Sequence, residues 1–161
     1  MKSQKLIIGA ATACLLVGTS GAAMAVGCPT GRIMFKTVPE IVIDGEACFI
    51  YAVTVEGNVT VTNSPVLNMS FTDVGGSVKV QEGENVTVLV VDILKGDLVV
   101  SGYEGAAVVG NELDEGNLNV ENNVGAAVSR NKVNGNITCT GNGELEATGN
   151  RATGTVNCAG L

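Results

Sequence analysis

The sequence predicts an all-β, single-domain parallel β-helix, a β-solenoid of about six coils with 19–20 residues in each. Three observations carry this expectation: a glycine-led phrase that returns at a near-constant interval, two apolar columns that hold their place in every copy, and a polar column at the same period. The phrase opens at Gly57-Asn58-Val59-Thr60-Val61 and returns from Gly76, Gly96, Gly116, Gly135 and Gly154, at intervals of 19, 20, 20, 19 and 19 residues. The second position after each glycine is Val59, Val78, Leu98, Leu118, Ile137 and Val156, and the fourth is Val61, Val80, Val100, Val120, Cys139 and Cys158. Side chains alternate across a strand, so both columns share one face, and their apolar character points that face inward.

A strand unit of about 20 residues cannot bury its own apolar face, and stacked copies can. The repeats occupy residues 57–161. Each unit carries a second strand-like piece, roughly 66–71, 86–91, 106–109, 126–128 and 145–148, followed by the column Asp73, Asp92, Asn111, Asn131 and Asn150. Asn and Asp beside a turn satisfy backbone groups locally and tolerate left-handed backbone, and stacked carboxamides can bond to one another as a ladder. The glycines suit corners that need positive φ. Right-handed winding follows from the general crossover preference. An antiparallel sandwich has no reason to hold glycine, apolar and Asn columns at one period. Neither the six-residue period of a left-handed hexapeptide helix nor the five-residue period of a pentapeptide solenoid is present.

Residues 26–56 lack the glycine in register. Their apolar runs, 33–35, 41–43 and 48–55, are separated by Pro39 and by Asp44-Gly45 and read as strands. This segment is expected to be an atypical first coil that caps the solenoid. Before it, Lys2 and Lys5 precede an apolar stretch from Leu6 to Val17, and Ala23-Met24-Ala25 offers small residues for a cut. That is the pattern of a secretory signal peptide over 1–25, with the mature chain starting near Val26. The stretch is too short to span a bilayer comfortably. Cys14 raises lipidation as a minor alternative, but Ala11-Thr12-Ala13 lacks the leucine of a bacterial lipoprotein signal.

Without the leader, seven basic residues face sixteen acidic ones, a net charge of −9. That excess argues against nucleic acid and anionic membranes as partners. There is no His and no Trp, and the chain has only three Phe and two Tyr, so general bases and stacking platforms are scarce. Of five cysteines, Cys28, Cys48, Cys139 and Cys158 follow the leader, an even number in a chain bound for an oxidising compartment. Cys139 and Cys158 share one inward column in successive rungs, roughly 4.8 Å apart at strand spacing, which a disulfide accepts. Cys28 and Cys48 stand one repeat length apart and are expected to pair near the other end. No C-x-x-C or histidine supports a metal site, and no cofactor is expected.

Asp73 and Asp92 form the one candidate carboxylate pair, for Ca²⁺ or for acid–base work on a sugar; the simpler reading is Asp substituting for Asn in the turn column. Asn58, Asn68, Asn85 and Asn136 stand in N-x-[ST] sequons, which Asn at turns and Thr in strands also create by coincidence. The outward columns after each glycine are mixed and charged, against an ice-binding threonine array.

Gly135-Asn136-Ile137-Thr138-Cys139-Thr140-Gly141-Asn142, followed by Gly149-Asn150 and Gly154 to Cys158, resembles the tail of secreted bacterial proteins of no known function. The resemblance implies a secreted β-solenoid closed by a disulfide. More loosely, the stacked units look like bacterial β-helices, including surface adhesins, polysaccharide lyases and bactofilin filaments. The chain departs from the lyases in its shortness and in lacking a basic or histidine cluster, and from bactofilins in its leader and cysteines. The functional expectation is a secreted, periplasmic or cell-surface module, structural or adhesive rather than enzymatic, that binds an extracellular glycan or surface protein. A small carbohydrate-active enzyme and an envelope polymer built by end-to-end self-association are the alternatives.

Overall fold

The computed structural model describes residues 24–158. The expected signal peptide falls outside them, except for Met24 and Ala25. Every strand pairing is parallel, and successive coils stack into one β-solenoid. Among the described residues no helix is long and apolar enough to cross a membrane.

Each coil has three sides where two strand pieces were expected. In the coil formed by the continuous strand Val59–Val74, residues 59–62 lie on the first face, 66–70 on the second and 73–74 on the third. The third-face strands, such as Thr54–Val55, Glu112–Leu113 and Lys132–Val133, have two residues each. They contribute the inward stack Val38, Val55, Val74, Ile93, Leu113, Val133 and Ala152.

The second face counts the coils. Ile33, Ile50, Met69, Val88, Val108, Val128 and Ala147 stack in register, giving seven where about six were expected. The extra coil comes from residues 26–56, which supply two rungs of the stack. Ile41 and Ile43 sit under Val59 and Val61, and Val26 bridges to Ile41. These early coils are shorter, Ile41 to Val59 spanning 18 residues and Ile33 to Ile50 spanning 17, and Pro39 stands beneath Gly57. Both columns predicted to face inward are buried from Val59 and Val61 as far as Ile137 and Cys139.

Corners follow two rules. The residue after the first-face strand is left-handed at Gly45, Asn63, Glu82, Gly102, Asn122 and Gly141, and the residue after the second-face strand is left-handed at Phe35, Ala52, Phe71, Val90, Gly110, Arg130 and Gly149. At the third corner, where the repeat glycines stack, the reason for glycine differs from the expected one. Only Gly96 and Gly116 of the six have positive φ. Space is the constraint: a Cβ at Gly76 would lie 2.9 Å from the Gly57 carbonyl oxygen, one at Gly154 2.9 Å from that of Gly135, and those at Gly116 and Gly135 closer still to the coil before.

Polar ladders run up all three corners. Beside the glycines, Oδ1 of Asn58, Asn117 and Asn136 accepts the backbone N–H of Ser77, Asn136 and Thr155 in the following coil. At the corner after the first face, Oδ1 of Asn123 accepts the Tyr103 N–H and Oδ1 of Asn142 accepts the Asn123 N–H. The third ladder, after the second face, is built from Asn111, Asn131 and Asn150. Buried backbone groups that turn a corner cannot stay in the strand ladder, and a carboxamide offers both donor and acceptor to replace it.

Candidate binding face

The cysteines close both ends of the described solenoid. Cys28 and Cys48 are bonded with Cα atoms 6.0 Å apart, and Cys139 and Cys158 with Cα atoms 4.7 Å apart. Each bond joins neighbouring coils, and Cys28, Cys48 and Cys139 are buried.

The expected Asp/Asn column divides into two in the structure. Asn111, Asn131 and Asn150 stack as a ladder: Asn111 donates its N–H and Nδ2 to Asn131 Oδ1 at 3.0 and 2.9 Å, and Asn131 donates to Asn150 Oδ1 at 3.1 and 3.0 Å. Below them this column continues through Val91, whose N–H reaches Asn111 Oδ1 at 2.9 Å, and through Thr72. Asp73 and Asp92 stand one residue further on, in the outward third-face column with Glu112, Lys132 and Arg151. The glycines held the signal for this. Counting fifteen residues from Gly57, Gly76, Gly96, Gly116 and Gly135 gives Thr72, Val91, Asn111, Asn131 and Asn150.

Asp73 and Asp92 are neighbours in register. Partial burial, and then the charges of Asp73, Glu112 and Asp114, push the Asp92 carboxyl above its ordinary range. Lys132 meets Glu112 in an ion pair one coil up, and the Glu112 carboxylate raises its ammonium. A hollow of about 340 Å³ on this side is lined by Glu112, Asp114 and Lys132 but by neither Asp73 nor Asp92. Among the described residues no three His, Cys, Asp or Glu side chains are placed to hold a metal ion.

The second face presents a feature that composition hid. Four of the five aromatic residues gather on it, in the first three coils. Tyr51 lies parallel to Phe49, with centroids 6.0 Å apart, and takes Phe35 from one neighbouring coil and Phe71 from the other, edge-on, each at 5.5 Å. Phe35 is 69% exposed and Phe71 56%. Both occupy the left-handed corner, at φ 50° and 51°, and so does exposed Val90 at φ 50°. Glycine fills the same corner at Gly110 and Gly149, so the fold itself does not call for large side chains there. A bulky or β-branched residue at positive φ costs roughly 1–2 kcal/mol. Here it is not repaid by burial within the chain. The fifth aromatic, Tyr103, is inside: its ring lies over Gly83, its hydroxyl has no partner, and burial pushes that phenol up to about 12.

Further along the same face the side chains become small. Gly105, Ala107, Gly125 and Ala127 line a shallow trough of about 550 Å³ that runs from Asn85 and Thr87 to Glu144 and Glu146. Three outward columns define the face. One runs Arg32, Phe49, Asn68, Thr87, Ala107, Ala127, Glu146; the second Met34, Tyr51, Ser70, Leu89, Val109, Ser129, Thr148; the third Val66, Asn85, Gly105, Gly125, Glu144. Arg32 alone carries positive charge in these columns, in the first coil, and the only carboxylates are in the seventh.

The face is therefore cationic at one end and acidic at the other, raised over its first coils and hollow over its later ones. The other outward surfaces differ: the first face is polar and mixed, with Thr60, Lys79, Val99, Asn119 and Thr138 in one column, and the third is charged. Sequence reasoning missed the aromatic cluster because Phe35, Phe49, Tyr51 and Phe71 fall in three different columns, and residues 26–56 lack the glycine that sets the register. Comparison of the chain with protein-family models, with curated proteins and with solved structures finds no match.

Proposed function

We propose that this chain is a non-enzymatic structural or binding module, secreted or held in the cell envelope, that acts through the outer face of its second sheet. The observation that carries this is the aromatic group of exposed Phe35, Phe49 and Phe71 around half-buried Tyr51, with Phe35 and Phe71 on a left-handed corner that glycine fills in two later coils. Exposed apolar patches of this kind mark interaction surfaces, and large apolar side chains on a left-handed corner where glycine also serves carry a cost that a partner would offset. Two disulfides across neighbouring coils suit an oxidising compartment. The leader-like residues 1–25 suit export.

The test is binding of the disulfide-bonded chain to a glycan array and to envelope fragments, beside a turnover screen on acidic polysaccharides. The expected result is capture that is lost in Phe49→Ser/Tyr51→Ser, with no turnover. The enzymatic alternative rests on Asp92, whose raised carboxyl lies one rung from Asp73. Polysaccharide cleavage that disappears in Asp92→Asn would establish that alternative and remove the binding-only reading.

A further inference from the structure

The second face is complementary to itself. Thr87 is the fourth of the seven residues in the column from Arg32 to Glu146. A two-fold axis that passes over Thr87 along the strand direction, in the plane between two facing copies, turns that column end for end. It sets each of the other columns opposite itself, also end for end. Under this operation Arg32 falls opposite Glu146 of the second copy, Phe49 opposite Ala127, and Tyr51 opposite Ser129. At the corner after the second face, Phe35 falls opposite Gly149 and Phe71 opposite Gly110. The raised aromatic coils of each copy then enter the hollow Gly/Ala coils of the other, and each charged end meets its opposite.

We propose that two copies of this chain pack second face on second face, antiparallel, about this axis. The inference rests on the reading that this face is a binding surface, and it names the occupant. Isologous two-fold contacts need self-complementary patches, in which one residue contacts another and the reverse contact recurs. Charge and relief satisfy that condition independently here. A parallel arrangement would set Arg32 on Arg32 and aromatic bulk on aromatic bulk, which costs both charge and fit.

The area is sufficient. Six coil steps of about 4.8 Å make the face roughly 29 Å long, and five strand residues with their corners make it roughly 20 Å wide. That is about 600 Å² from each copy and about 1,200 Å² in all, above the roughly 1,000 Å² of a specific interface. Both chemistry-bearing ends remain exposed in the single chain: Arg32, Glu144 and Glu146 are all on the surface.

Charge exchange tests the arrangement, read by sedimentation equilibrium of the disulfide-bonded chain. Wild type is expected to form a concentration-dependent dimer. Arg32→Glu alone and Glu146→Arg alone should each weaken it by about tenfold or more, because symmetry reverses two pairs at once. The double variant Arg32→Glu/Glu146→Arg should recover most of that loss. Within one chain the two residues are roughly 29 Å apart at strand spacing, beyond direct contact, so recovery reports a pair between copies. Both are exposed, and unchanged circular dichroism would show that the fold survives.

Single variants that dimerise as well as wild type, or a double variant no tighter than the singles, overturn the antiparallel arrangement. A chain that stays monomeric at every concentration, yet is captured by glycans or envelope through Phe49 and Tyr51, overturns the dimer and leaves the binding face standing. Loss of both the dimer and the capture removes the two readings together.

Discussion

Replacing Asn131 by Ala puts the ladder hypothesis at risk most directly. The Asn131 side chain is buried and makes four hydrogen bonds: Oδ1 accepts the Asn111 N–H at 3.0 Å and Asn111 Nδ2 at 2.9 Å, while Nδ2 donates to the Val108 carbonyl at 2.9 Å and to Asn150 Oδ1 at 3.0 Å. Alanine leaves the Asn111 N–H buried without its acceptor, a penalty of about 1–3 kcal/mol, and removes net contributions of about 0.5–1.5 kcal/mol for each further bond. Asn111 Nδ2 retains the Val88 carbonyl at 3.2 Å, so it is not orphaned. A loss of about 3 kcal/mol is expected, which is roughly a hundredfold in the folding equilibrium. Asn150→Ala is the matched control. It removes the acceptor of the Asn131 N–H and Nδ2 from a partly buried site where water can replace it, at a cost of about 1 kcal/mol.

Denaturant unfolding with the disulfides intact gives the stabilities, and hydrogen exchange locates the change. The Asn111 amide should lose protection in Asn131→Ala and keep it in Asn150→Ala. Equal losses in the two variants, or an Asn131→Ala cost well under 1 kcal/mol with Asn111 still protected, would refute the argument that burial gives these carboxamides their weight.

Val90→Gly should stabilise the chain by about 0.5–1 kcal/mol, the left-handed penalty less the entropy of glycine, and a fall in Tm would count against strain at that corner. Gly83→Ala should cost roughly 1–3 kcal/mol by overpacking, because its Cβ would meet the Ser64 carbonyl and the Tyr103 ring; an unchanged Tm would show that the ring can move aside. Cys139→Ala/Cys158→Ala should lose about 3 kcal/mol on the chain-entropy estimate, with exchange rising first in residues 137–158, and uniform exchange along the solenoid would contradict a local clasp. Asp92 gives the pH dependence: a carboxyl raised in the folded state favours the protonated form, so its contribution is present below the unfolded value of 3.8 and is lost as pH rises through the folded one. Asp92→Asn should therefore be more stable than wild type at neutral pH, with the gap closing in acid; a gap that widens in acid would reverse the sign.

The interior could be read from the sequence because one column must stay apolar in every coil. Val59, Val78, Leu98, Leu118 and Ile137 announced themselves, and Cys139 with Cys158 followed from the same register. The third face could not be seen this way. Strands of two residues, such as Lys132–Val133, are too short to show alternation. The first coils were hidden by a shorter period and by Pro39 where glycine was expected. The Asp/Asn column slipped because Asp92 precedes Asn111 by nineteen residues, whereas its partner Glu112 is twenty away. That coil holds one added residue, which a constant period passes over.

The arrangement of charge argues that the second face is more than a by-product of composition. From residue 26 to 121 four basic residues face fourteen acidic ones, while from 122 to 158 three basic residues face two acidic ones, so the molecule as a whole runs from acidic to slightly basic along its axis. The third face follows that gradient, with Asp73, Asp92 and Glu112 giving way to Lys132 and Arg151. The second face runs against it, from Arg32 to Glu144 and Glu146. Columns on the outside of a solenoid vary without disturbing its core, so nothing in folding imposes that reversal or sets aromatic rings on left-handed corners at the same end. Two independent departures on one surface, in sign of charge and in the placing of exposed aromatic rings, are what the proposed binding role calls for and what a core does not.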